Sequence, residues 1–397
     1  MSAAPGYAVA MKLVDVRHQD RALSLISRGL AAGRAPHAYL FDGPDGVGKE
    51  LTARALAARL LCQSAPEAGD QTPSLFGAPE PKDERATDDA CGVCESCVLL
   101  ERGNHPDLHV IHRGLHKHHP DRAIRASKGL MLSVGVVRHF LIDPSSKAPL
   151  LGQRRVFIVR DAERMNEEAQ NALLKTLEEP PGAATLILVT SAADRLLSTI
   201  RSRCQRIAFD PLPRAFVTEK LAESGVKAAD ARFLAGLCDG RLGAALKWSR
   251  MDLIETRDAV RGALRDAGRP EAFGKQVIEA ATALAARASV DKDDDDEDEP
   301  ADPEPGKARK KAKAPPKTVE TDALRDGLKL AFMLIGAALR DRLAEQASKA
   351  DAEADTRLAE GIEAVFDAER MLDRNVAPQL ACERLAIALE GGPVGRF

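Results

Sequence analysis

The sequence predicts a parallel α/β domain over residues 1–210, followed by a chain that is helical to its end. Three observations carry this reading. Ala38-Tyr39-Leu40-Phe41, Val156-Phe157-Ile158-Val159 and Leu186-Ile187-Leu188-Val189 are unbroken apolar runs, the pattern of strands buried on both faces. Between the last two, Ala169, Leu173, Leu174 and Leu177 recur at helical spacing, so strand, helix and strand imply a right-handed parallel crossover. From Pro211-Leu212-Pro213 onward the pattern is helical, proline marking the break because it cannot donate a backbone hydrogen bond.

The first strand runs into Gly43-Pro44-Asp45-Gly46-Val47-Gly48-Lys49-Glu50, which fits the phosphate-loop pattern G-x-x-x-x-G-K and fails at the final Ser/Thr. Gly43, Gly46 and Gly48 let backbone N–H groups turn inward around phosphate, and Lys49 adds a point charge at a helix N-terminus. Glu50 stands where a hydroxyl would hold Mg²⁺. Thr52 is no substitute, because two helical residues rotate a side chain by about 200°. Farther on, Arg160 closes the second strand where a metal-orienting Asp is usual, with Asp161 in the place of a water-activating Glu. Hydrolysis needs metal charge and a positioned water. Two independent departures therefore predict ATP binding that is weak or absent, and no ATP turnover by this chain.

Cys62 ends the helix after the loop, and Cys91, Cys94 and Cys97 follow as C-x2-C-x2-C. Four thiolates close a tetrahedral shell around Zn²⁺, which makes a structural site. An iron–sulfur cluster is the alternative, weakened because Val98-Leu99-Leu100-Glu101 follows in place of the ferredoxin ending. The module spans about 62–103, with a flexible insertion expected between Gln63 and Asp89. His105, His109, His112, His116, His118 and His119 lie on a polar segment and read as a solvated loop. Cys204, Cys238 and Cys382 sit in apolar surroundings and read as core residues.

Two helical regions follow, over 211–250 and 251–397. The second is interrupted at 291–317, where eight of the nine residues Asp291–Glu299 are acidic, and five prolines and six basic residues then follow. Such a stretch cannot bury enough apolar surface to order itself and reads as a disordered insertion. With 57 basic and 60 acidic side chains the net charge is only −3, which excludes a whole-protein electrostatic grip on nucleic acid or anionic lipid. The longest apolar run, Leu330–Leu339, is too short to span a bilayer, and Met1–Lys12 shows no secretory signal. A cytoplasmic protein without membrane contact is expected.

Several longer runs resemble the clamp-loader branch of the AAA+ family: Pro36-His37-Ala38-Tyr39-Leu40-Phe41, Asn104-His105-Pro106-Asp107, Asn171-Ala172-Leu173-Leu174-Lys175-Thr176-Leu177-Glu178-Glu179-Pro180-Pro181, and Leu197-Ser198-Thr199-Ile200-Arg201-Ser202-Arg203-Cys204. The resemblance covers about residues 14–212. It implies an AAA+ nucleotide-fold domain carrying a zinc module, an all-α lid and an all-α collar that assembles a hetero-pentamer. It implies partners of the delta and gamma/tau types, a sliding clamp, and primed DNA reached through the complex, within the DNA polymerase III holoenzyme. It also implies that Arg203 is an arginine finger acting in trans on a neighbour's ATP site, since a planar guanidinium suits phosphoryl charge. A lid arginine that senses nucleotide is replaced here by Gly243, with Arg241 two residues away. Two readings stand against a non-hydrolysing loader subunit. An active AAA+ motor is opposed by Glu50 and Arg160. A zinc-ribbon DNA-binding protein is opposed by residues 91–103, which hold Arg102 as their one basic side chain.

Overall fold

The computed structural model describes residues 12–32, 35–64, 89–127, 129–295, 317–346 and 352–390. Residues 65–88 and 296–316, the bulk of the two expected insertions, lie outside the described residues. The chain forms two compact units: Met1–Lys220 with Cys238–Ala244, and Leu221–Leu237 with Ala245–Phe397.

The first unit is built on five parallel strands: β1 (Ala38–Asp42), β2 (Leu108–Ile111), β3 (Arg155–Val159), β4 (Ala184–Thr190) and β5 (Gln205–Ala208). Their order is β2-β3-β4-β1-β5. In β1, Leu40 pairs with Leu188 on one side and Arg206 on the other, so β1 is interior. Residues 38–41, 155–159 and 184–190 are all buried, as their apolar runs require. Two strands escaped the apolar-run criterion. Both β2 (Leu-His-Val-Ile) and β5 (Gln-Arg-Ile-Ala) are edge strands, and an edge strand tolerates polar side chains on its solvent side.

Five helices position the sites: α1 (Asp20–Ala31), α2 (Lys49–Leu61), α3 (Glu95–Glu101), α4 (Glu167–Glu178) and α5 (Ser198–Arg203). The helix expected from the spacing of Ala169, Leu173, Leu174 and Leu177 is α4. Asn166 caps it by accepting from the Ala169 N–H at 3.0 Å, and Glu167 and Glu168 complement the dipole of its first turn. Its Ala169, Leu173 and Leu177 enter a core shared with Leu40, Phe157, Leu186 and Leu188.

In the second unit, α6 (Leu253–Leu264), α7 (Pro270–Asp295), α8 (Lys317–Gln346), α9 (Ala352–Asp373) and α10 (Pro378–Glu390) pack by helical stripes. Phe273, Val277, Ala281 and Leu284 of α7 and Leu328, Phe332, Ile335 and Leu339 of α8 are buried at helical spacing. At Gly327 a Cβ would lie 2.3 Å from the Ala281 carbonyl oxygen, so these helices approach through a residue without a side chain. Residues 291–295 of the expected insertion are helical. Helix α7 continues through Asp295 and α8 starts at Lys317, because a formed helix extends at little cost beyond its apolar stripe. Among the described residues no strand follows Ala208, and no helix is long and apolar enough to cross a membrane.

Candidate phosphate loop, cysteine cluster and arginine site

The phosphate-loop sequence occupies the carboxyl end of β1, where open α/β sheets bind ligands. Gly48 is left-handed at φ 99° and starts α2. Lys49 is buried, and its Nζ donates to the carbonyls of Gly43 and Pro44, each at 2.6 Å. Burial lowers its pKa, with Asp45, 3.5 Å away, pulling the other way. Gly243 lies directly on this loop: its N–H donates to the Gly46 carbonyl at 3.0 Å. A Cβ at Gly46, where φ is 76°, would meet the Gly243 nitrogen at 2.8 Å. Thr52 is turned into the core, its hydroxyl donating to Gly48 O at 2.9 Å.

The two departures at Glu50 and Arg160 are not independent. Arg160 Nε lies 3.0 Å from one Glu50 oxygen, and Arg54 Nη2 donates to the other at 3.0 Å. Each substitution supplies the partner of the other. Next to the pair, Asp161 adopts φ 48°, and burial followed by repulsion from Glu163 raises its carboxyl pKa. Glu163 went unremarked in the sequence. It accepts from the hydroxyls of Thr190 and Ser191, both at 2.7 Å. Although burial opposes ionisation, these bonds hold its pKa below the usual value. A threonine closing the strand β4 was the available signal.

Cys62, Cys91, Cys94 and Cys97 come together across the long intervening stretch, all four Sγ atoms within 4.8 Å of one another. Cys62–Cys94 and Cys91–Cys97 are each 3.9 Å apart. A Zn–S bond of about 2.3 Å implies a tetrahedral edge of about 3.8 Å, so the four thiols fit the ion. Backbone N–H groups of Cys91 and Cys94 donate to Cys62 Sγ and Cys91 Sγ at 3.3 Å. The Val93 N–H, with lesser help from other bonds, brings the Cys91 thiol down to about 6, while burial pushes Cys97 up.

The histidine segment differs from the solvated loop expected of it. His105 and His119 are buried, and His109 stacks on Phe157 with ring centroids 4.8 Å apart. The reason is that β2 forms here and pairs His109 with Phe157 in register. His105 Nδ1 accepts from the Asp107 N–H at 3.1 Å, which leaves Nε2–H to donate to Ser96 Oγ at 2.7 Å. Ser96 in turn donates to Leu61 O at 2.6 Å. This relay ties the cysteine turn to the sheet. Asp107 accepts from the N–H groups of Leu150 and Leu151 at 2.8 Å and lies 3.4 Å from Arg155 Nε. Cys204, Cys238 and Cys382 are buried, as their surroundings implied.

Arg203 ends α5. Its Nη2 lies 2.5 Å from Glu178 Oε1 of α4, and its Nη1 donates to Thr199 O at 3.0 Å. Arg201 is exposed. The other end of α5 is also held by α4, because Gln170 Oε1 accepts from the Leu197 N–H at 2.8 Å.

A family described as DNA polymerase III, delta subunit, matches residues 18–75 and 78–213, the stretch that holds the sheet, the loop, the cysteines and Arg203. Over these residues, just under half of its length, the chain resembles that family. Among curated proteins it is 33% identical over 234 residues to the DNA polymerase III subunit delta′ of Bacillus subtilis, covering 59% of this chain and 60% of that one. It is 40% identical over 185 residues to the subunit delta′ of Pseudomonas aeruginosa, covering 46% of each. The DNA polymerase III subunit tau of Escherichia coli is 35% identical over 190 residues, 48% of this chain and 24% of that one. The chain thus spans from about half to three fifths of the delta′ relatives it matches. A gamma subunit-related protein from Thermotoga maritima superposes only loosely, at TM-score 0.40 and 18% identity over 94% of this chain and 99% of that one.

Proposed function

We propose that the chain is a clamp-loader subunit of the delta-prime kind, one that turns over no ATP itself and completes the ATP site of a neighbour. The Glu50–Arg160 ion pair carries this reading. A Mg²⁺ site needs a hydroxyl and a carboxylate there, whereas a guanidinium brings positive charge and consumes the nearest carboxylate. Lys49 is occupied with the loop's own carbonyls, and Gly243 closes over Gly46, so nucleotide binding is weak or absent. In this reading residues 1–210 form an AAA+ domain, 211–250 a lid, and 251–397 a collar through which the chain joins delta- and gamma/tau-type subunits in a pentamer. That assembly opens a sliding clamp and places it on primed DNA.

Arg203 is the arginine finger. It carries a planar guanidinium fork, is one third exposed, and stands at the end of a short helix braced by α4. Cys62, Cys91, Cys94 and Cys97 would hold one structural Zn²⁺, which offsets half of the charge of four thiolates and fixes the turn that Ser96 and His105 anchor.

Steady-state ATPase of the isolated chain tests the central claim. No turnover is expected, and the double substitution Glu50→Ser with Arg160→Asp should create measurable Mg²⁺-dependent nucleotide binding. Turnover by the unaltered chain would overturn the reading.

A further inference from the structure

We infer that Glu178 is a positioning residue that sets how readily Arg203 reaches a neighbour's phosphate, an inference that rests on the arginine-finger reading. The Arg203 side chain is folded back along its own helix, because Nη1 donates to Thr199 O, four residues earlier, at 3.0 Å. The other terminal nitrogen is 2.5 Å from Glu178 Oε1. An arginine held in this way has two of its donors and part of its charge already committed. To meet a phosphate on another subunit it must unfold from Thr199 O and leave Glu178. The competent conformer is therefore a fraction of the population, and the apparent affinity for the partner site falls by that fraction.

Glu178 suits the task because of where it stands. It is the last residue of α4, whose Gln170 fixes the start of α5 through the Leu197 N–H. One helix thus holds the finger helix at one end and the finger itself at the other. At 48% and 34% exposure, Glu178 and Arg203 form a pair that solvent weakens, so the restraint can be broken by the denser charge of a polyphosphate.

Two experiments test the inference. In the free chain, phenylglyoxal modification of Arg203, read by peptide mapping, should be faster in Glu178→Gln than in wild type and unchanged in Glu179→Gln. In the reconstituted complex, Glu178→Gln should lower the subunit concentration giving half-maximal ATP turnover by roughly two- to fivefold and leave the maximal rate alone. A merely structural role would move neither quantity in that direction. Unchanged modification, an unchanged half-maximal concentration or a lowered maximal rate would each overturn the inference. Arg203→Ala separates the two layers. If it abolishes stimulation while Glu178→Gln changes nothing, the finger stands and the positioning role falls. If it changes nothing, both fall, whatever the modification rate.

Discussion

At residue scale, single atoms decide what the loop, the cysteines and the histidines can do. The cysteine trio was legible because C-x2-C-x2-C brings its ligands on one turn, whereas Cys62 needed the fold to reach them. Purified chain should hold one Zn²⁺ and be colourless. Cys94→Ser should release the metal and lower Tm, with elemental analysis and melting as the measurements, and an iron–sulfur absorbance band would contradict the assignment. The role of His105 was not legible, since a composition rich in histidine looks solvated until Ser96 is seen beside the ring. Burial lowers its pKa, with Asp107 opposing, so the native state takes up a proton less readily than the unfolded chain. Above about pH 6.5 both states are neutral and nothing is lost. Below that pH the unfolded chain protonates first, and stability falls until the native pKa is passed. At saturating zinc, His105→Gln should therefore show a smaller drop in Tm on acidification than wild type. An equal drop would mean that the ring does not stay neutral in the fold.

At element scale, the apolar runs identified β1, β3 and β4 because buried central strands need no polar alternation. The edge strands β2 and β5 carry His109, Gln205 and Arg206, and no periodicity announced them. The pairing of Glu50 with Arg160 was also hidden. Each residue read alone is a lost ligand, and only the approach of α2 to the end of β3 turns two losses into one ion pair. In the helical unit the small residue Gly327 sets how closely α8 meets α7. Gly327→Ala should destabilise the unit by about 1–3 kcal/mol, because the new methyl must push the helices apart, even though alanine is the better helix former. Chemical denaturation measures this, and an unchanged midpoint would show that the crossing can relax.

At the scale of the whole molecule, the proposal divides labour between a phosphate loop that has stopped working and an arginine that works elsewhere. The loop sequence already argues against an ATPase through Glu50; Lys49 on its own loop's carbonyls and Gly243 against Gly46 argue further for a brace. Chemistry supplied in trans predicts an asymmetry between two substitutions in one chain. Lys49→Ala should leave the turnover of an assembled complex nearly untouched. Arg203→Ala should leave assembly intact and slow the neighbouring site, where a finger is worth roughly 10³ to 10⁵ in rate. The loss over the whole complex should be smaller, because other sites keep their own fingers. ATP turnover by reconstituted complexes carrying each variant is the most direct test. The account predicts a near-normal rate for Lys49→Ala and a reduced rate for Arg203→Ala, and the reverse pattern would contradict it.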